Sequence, residues 1–234
     1  MTPDPVKLTK ELISYNSVSQ LTNVPITNHV SNVLKSIGFK VEKLPYNDAN
    51  GVAKLSIIAK LGQGTGGLTM MSHNDVVPAI NAEDWTGSPF SARLSDGRLH
   101  GRGAADMKGP LAASICAAAN FKAKNLSAPV YIVVAADEEV DARGAYDVTN
   151  HSDFFEEAKD GCGLICEPTD LRVVYAHKGG LSIRIESKGR AAHTSTLKGT
   201  NANLKMIPFL GEMVKINKLV LSSKRYRNEE FNPP

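Results

Sequence analysis

The chain has 234 residues, room for one large domain or for one domain and part of a second. With 42% apolar and 22% charged residues it reads as a soluble globular protein, neither disordered nor fibrous. Lys plus Arg number 27 against 24 Asp plus Glu, a formal charge of +3, and the basic residues are scattered, which argues against a nucleic-acid partner.

The N-terminus, Met1 to Lys7, carries no basic-then-apolar signal segment. No apolar run approaches the ~18 residues needed to span a bilayer, so no membrane partner is expected. Cys116, Cys162 and Cys166 are an odd number at no disulfide-framework spacing, which fits a reducing cytoplasm.

In chain order, Val6 to Tyr15 and Ile26 to Ile37 carry apolar residues at helical spacing, and Gly38 closes the second pattern. Phe39 to Leu44 alternates as a half-buried strand, and Ala53 to Leu61 reads as another. The Gly62–Gly67 loop leads into a strand ending at His73. Leu94 to His100 reads as two short strands about an Asp96-Gly97 turn. Met107 to Lys122, rich in alanine, reads as a helix packed close on a sheet. Strands alternating with helices in this order predict an α/β fold with a mostly parallel sheet covered on both faces. Near residue 179 the character changes: after the glycine pair Gly179-Gly180, Leu181 to Ser187 alternates strictly, as an antiparallel strand with one wet face does. Asn203 to Lys218 follows as an amphipathic helix. The expected division is therefore 1–178 and 179–234, the second part incomplete.

Three apolar runs stop at metal-seeking side chains: Leu68–Ser72 at His73, Val130–Ala136 at Asp137-Glu138-Glu139, and Gly163–Cys166 at Glu167. In an open α/β sheet ligands gather at the carboxyl ends of the strands, so these residues are expected to converge. Asp106, after Gly101-Arg102-Gly103, adds a carboxylate just before a helix. One imidazole among so many carboxylates calls for neutralising cations, which points to a hydrolase carrying divalent metal.

Each element also has a plainer reading. His73-x-Asp75 places a carboxylate where it can hold one imidazole nitrogen and turn the other to a metal, or it is a buried histidine bonded to a neighbour. Asp106 is a helix cap, or a carboxylate bridging two cations. In Glu138-Glu139 one acid can ligate while the other takes a proton from activated water, or both belong to a solvated acidic loop. Glu167-Pro168 is a ligand held out of a helix, or a strand exit. All four in this order favour the metal reading. Gly101-x-Gly103-x-x-Asp106 is no dinucleotide fingerprint, because an acid there repels pyrophosphate, and no P-loop is present.

The segments Ser72–Pro78, Gly101–Gly109, Asp137-Glu138-Glu139, Glu167-Pro168-Thr169 and Gly189–Thr194 together resemble the dizinc peptidase and deacylase family of acetylornithine deacetylase, succinyl-diaminopimelate desuccinylase, aminoacylase and glutamate-releasing carboxypeptidase. Gly62–Leu68 and Ala176–Gly179 look closest to the acetylornithine deacetylase branch. The resemblance implies a zinc-peptidase-like catalytic domain with an inserted α+β lid and dimerisation domain. It implies two zinc ions, which cobalt or manganese can replace: His73, Asp106 and Glu167 hold one, and Asp106 bridges to a second held by Glu139. Glu138 is then general base and acid, Asp75 orients His73, and His193 in the lid assists substrate or oxyanion. The implied substrate is an N-acyl amino acid, as in arginine biosynthesis, and the implied assembly a homodimer through the lid. A desuccinylase or a di- or aminopeptidase are the alternatives within the family. Family members draw one more histidine from a segment beyond residue 234, so the chain is expected to be a fragment, and an inactive product is the alternative of another class.

Overall fold

A computed structural model describes residues 2–228 and 231; the expectation concerning the chain end at Pro234 lies outside them. The chain forms two compact units, 1–172 and 173–234.

In the first unit, helix α1 (Pro5–Ile13) opens on Asp4, whose carboxylate accepts the Lys7 N–H at 2.7 Å, with Pro5 in the first turn where no N–H is needed. Helix α2 (Val24–Ser36) ends as expected at Gly38, which takes φ +99° while the Phe39 N–H returns to the Leu34 carbonyl. Strands β1 (Lys40–Asn47), β2 (Ala53–Leu61) and β3 (Leu68–His73) follow, then a hairpin of β4 (Arg93–Ser95) and β5 (Arg98–His100) about Asp96-Gly97. Helix α3 (Lys108–Ala118), strand β6 (Val130–Ala135), helices α4 (Arg143–His151) and α5 (Asp153–Ala158) and strand β7 (Cys162–Ile165) complete the unit.

The main sheet has five strands in the order β1-β2-β6-β3-β7. The expected α/β architecture is present, as a mixed sheet. β3 runs parallel to both β6 and β7, whereas β1–β2 and β2–β6 are antiparallel. The parallel half carries His73, and the register His73↔Ala135 brings the end of β3 level with the end of β6.

Alternation along the strands divides the core in two. Leu55, Ile57, Ala59, Ile132 and Val134 pack with Leu8, Leu12, Ile26, Val30, Leu34, Leu111 and Ile115 of α1, α2 and α3. Ile58, Tyr131 and Val133 face Val148 and Ala158 of α4 and α5. Helices thus cover both faces.

In the second unit α6 (Ala202–Ser222) starts at Asn201, whose side chain accepts the N–H groups of Asn203 and Leu204. Residues 181–187 form no strand, contrary to the alternation read there: among the described residues they have no ladder partner, and a strand has no internal hydrogen bonds to hold it. The unit boundary at 172/173 lies six residues before the composition change at 178/179. No described helix is long and apolar enough to cross a membrane.

Candidate metal centre

His73 closes β3 with its side chain 2% exposed. Its backbone N–H points at the Met107 sulfur, 3.3 Å away. The next residue, Asn74, is fully buried and anchors the strand end: its amide donates to Thr27 Oγ1 at 2.8 Å and its Oδ1 accepts from Asn23 at 2.9 Å. The imidazole therefore has little freedom. Nδ1 faces the Asp75 carbonyl at 3.0 Å and the Asp75 carboxylate at 3.5 Å. The backbone oxygen is the tighter of the two partners, and the carboxylate read in the sequence as holding this nitrogen lies beside it.

His73 Nε2 faces the carboxylates. Asp106 Oδ1 lies 3.2 Å away, Glu167 Oε1 3.5 Å and Glu138 Oε2 3.7 Å. Two groups close within 4.8 Å among the described residues: His73 with Glu138 and Glu167, and His73 with Asp106 and Glu139. His73 belongs to both. The grouping of His73 with Asp106 and Glu167 implied by the resemblance is not one of them, although both acids lie near the same nitrogen.

A tetrahedral zinc ion with arms of ~2.05 Å separates its ligand atoms by about 3.3 Å, so spacings of this order fit one imidazole and several carboxylates around divalent metal. The charges point the same way. Burial disfavours a charged His73, but the Asp75 hydrogen bond and the fields of Asp75, Glu138 and Glu167 outweigh it and raise its pKa to about 9. Burial, then the Asp106 charge, pushes the Glu139 carboxyl up despite the opposing pull of His73. Burial also raises Glu167, with His73 opposing and Asp106 and Glu138 adding to it. Acids crowded until they resist ionising are a natural seat for cations.

Asp75 is 1% exposed, yet its pKa is lowered: burial opposes the charge, and hydrogen bonds from His73 and Ser19 prevail. Its Oδ2 accepts from Ser19 Oγ at 2.7 Å and from the Glu139 N–H at 3.2 Å, and its Oδ1 accepts the Glu138 N–H at 3.1 Å. Asp75 thus grips the backbone of the acid pair, a role the sequence reading missed because it links residues more than sixty positions apart. Gly103, with φ +80°, lets the chain pass before Asp106; a Cβ there would meet Val76 Cγ1 at 2.9 Å. The Asp106–Met107 peptide is cis.

Glu138 is exposed and Glu139 half-buried, so the cluster opens to solvent on its carboxylate side. His193 belongs to the second unit, exposed, with Nδ1 2.7 Å from Ser195 Oγ.

Residues 69–221 match the sequence profile of peptidase family M20/M25/M40. The chain belongs to this family. It is 36% identical over 208 residues to the acetylornithine deacetylase of Proteus mirabilis (strain HI4320), covering 86% of this chain and 52% of that protein. The chain spans about half the length of the curated relative it matches. Among solved structures it is similar to human carnosine dipeptidase 1, with TM-score 0.58 and 25% identity over 69% of this chain and 37% of that one. An M20-family metallo-carboxypeptidase from Sulfolobus solfataricus shares the fold, with TM-score 0.53 and 23% identity over 63% of this chain and 34% of that one.

Proposed function

We propose that this protein is a metal-dependent hydrolase that cleaves the amide bond of an N-acyl amino acid, as an acetylornithine deacetylase does in arginine biosynthesis. The observation that carries the proposal is the facing of His73 Nε2 by Asp106, Glu138 and Glu167 within 3.7 Å. The 36% identity to a deacetylase supports the substrate class. In this reading His73, Asp106, Glu139 and Glu167 hold two divalent ions, zinc by preference. Such ions, when bound, lower the pKa of water and polarise an acyl carbonyl.

The remaining chemistry belongs to side chains. Glu138 is the exposed acid of the pair and takes a proton from the attacking water, then gives one to the leaving amine. Asp75 steadies His73 and the Glu138-Glu139 backbone, so the base does not drift. His193 is assigned to substrate binding, the second unit to a lid and dimer contact, and the location to the cytoplasm, which the three free cysteines favour. A peptidase is the second reading, favoured by the likeness to carnosine dipeptidase 1.

Assaying N-acetylornithine beside dipeptides, with bound metal measured, tests the proposal. The expected result is acetate release in preference to dipeptide cleavage. Replacing Glu138→Gln should cut turnover by about two to four orders of magnitude with metal retained. Cleavage of dipeptides alone favours the second reading, and wild-type turnover by Glu138→Gln rejects the assigned base.

A further inference from the structure

Lys54 is a buried charge that the proposed chemistry does not use. It lies in β2 with its side chain fully covered, where an aliphatic residue would fill the space without loss of hydration. Its ammonium has three protons and three close acceptors: the Ser19 carbonyl at 2.5 Å, the Leu21 carbonyl at 2.9 Å and Asp137 Oδ1 at 2.7 Å. Both structures it grips lead to the acid pair.

Asp137 immediately precedes Glu138. It is 3% exposed and sits at φ +59°, the left-handed conformation that turns the chain sharply out of β6. Its second oxygen accepts the Tyr46 hydroxyl at 2.8 Å. Its carbonyl accepts the N–H groups of Val140, Asp141 and Ala142, which closes the loop behind Glu138 and Glu139. The Ser17–Leu21 strap is the other structure. Ser17 Oγ donates to the Asn74 carbonyl, Ser19 N–H to the Val76 carbonyl, and Ser19 Oγ to the same Asp75 carboxylate that holds the Glu138 and Glu139 N–H groups. Glu138 and Glu139 thus hang between two anchors, Asp137 and Asp75, and Lys54 ties one anchor directly and the other through the strap.

We propose that Lys54 is a positioning residue for the acid pair: by fastening Asp137 and the Ser17–Leu21 strap it fixes the backbone from which Glu138 and Glu139 project. The proposal rests on the reading that these two acids serve a metal-dependent hydrolase. Tyr46 is the lesser partner, since it holds only Asp137.

Amide hydrogen exchange of the metal-free chain, followed by NMR in low denaturant, tests the placement without any metal or turnover. In Lys54→Met the Glu138 and Glu139 amides should exchange about tenfold or more faster than in wild type, because a charged tether has gone. Tyr46→Phe should shift the same amides in the same direction by less; if Lys54→Met does not fold, Asp137→Asn, which removes the charge that Lys54 holds, takes its place with the same expected shift at Glu138 and Glu139. A purely structural Lys54 acts through overall unfolding. It would speed Ile132 and Val133 in β6 and leave the loop amides, which exchange by local opening, at their wild-type rates. Wild-type exchange at Glu138 and Glu139 in the folded variant overturns the proposal. Zinc titration of the same samples should show affinity reduced by about tenfold in Lys54→Met. Failure of the wild-type chain to take up zinc would count against the hydrolase reading, and the exchange rates would still decide the placement of Lys54.

Discussion

Replacing Asp75→Asn removes one oxygen from a carboxylate whose two oxygens are both in use. Oδ1 serves the Glu138 N–H at 3.1 Å, and Oδ2 serves the Glu139 N–H at 3.2 Å and Ser19 Oγ at 2.7 Å. Whichever side the new NH2 occupies, it meets a peptide N–H donor to donor. The Ser19 hydroxyl can turn and accept, but a peptide N–H cannot. The least costly arrangement therefore still leaves one amide of the acid pair facing a donor in place of its acceptor, at about 1.5–3 kcal/mol. Since ~1.4 kcal/mol is a factor of ten, the acid pair should sit in its productive arrangement roughly ten- to a hundredfold less often. Two measurements follow. Urea unfolding of the metal-free variant should show a loss of about 2 kcal/mol. Zinc affinity, measured by competition with a chromophoric chelator, should fall about 10–100-fold, as it does when the groups that orient ligands are removed. An Asp75→Asn variant within about threefold of wild-type affinity and with an unchanged unfolding midpoint would refute the view that this carboxylate holds the acid pair.

Two further changes probe the same loop. The Tyr46 phenol is held well above its ordinary value of 10.0, by burial first and then by the hydrogen bond to and charge of Asp137. The unfolded chain therefore loses this proton near pH 10 while the folded chain keeps it, so stability from Tyr46 is present below pH 10 and declines as pH rises beyond it. Tyr46→Phe should flatten that part of the alkaline decline, read from urea midpoints at about pH 8 and 10.5; an identical decline in both proteins contradicts the assignment. Gly144→Ala should lower the Tm by several degrees, because its Cβ would lie 2.3 Å from the Ala136 carbonyl oxygen, an overlap costing about 1–3 kcal/mol or more. An unchanged Tm would mean that the α4 entry is not packed as described.

The sequence revealed the strands best where burial is continuous. Ala53–Leu61 was read to the residue, and the ends of β3 and β6 lie within a residue of their predicted places, because a buried run stops where a charged side chain begins. Strand direction was less legible: a run buried on both faces carries no sign of whether its neighbour is parallel, so the antiparallel half of the sheet went unforeseen. Helices α4 and α5 were not foreseen either. Among α4 residues only Gly144, Asp147 and Val148 are buried, too few to impose a helical apolar period. In Leu181–Ser187 the pattern promised a strand, and pattern alone cannot supply a pairing partner. His73, Asp106, Glu138, Glu139 and Glu167 were legible as a set because each lies at or just past the end of an apolar run or just before a helix. The groups beneath them were not: Lys54 reads as an ordinary polar position in a strand, and only its approach to Asp137, 83 residues later, reveals it.

Crystals of the chain grown with zinc and measured on both sides of the zinc absorption edge test the central claim most directly. Two anomalous peaks are expected about 3.5–4 Å apart, one of them within about 2.1 Å of His73 Nε2 and both touching carboxylates of Asp106, Glu139 or Glu167. Zinc peaks confined to other surfaces, with none in contact with His73, would contradict it.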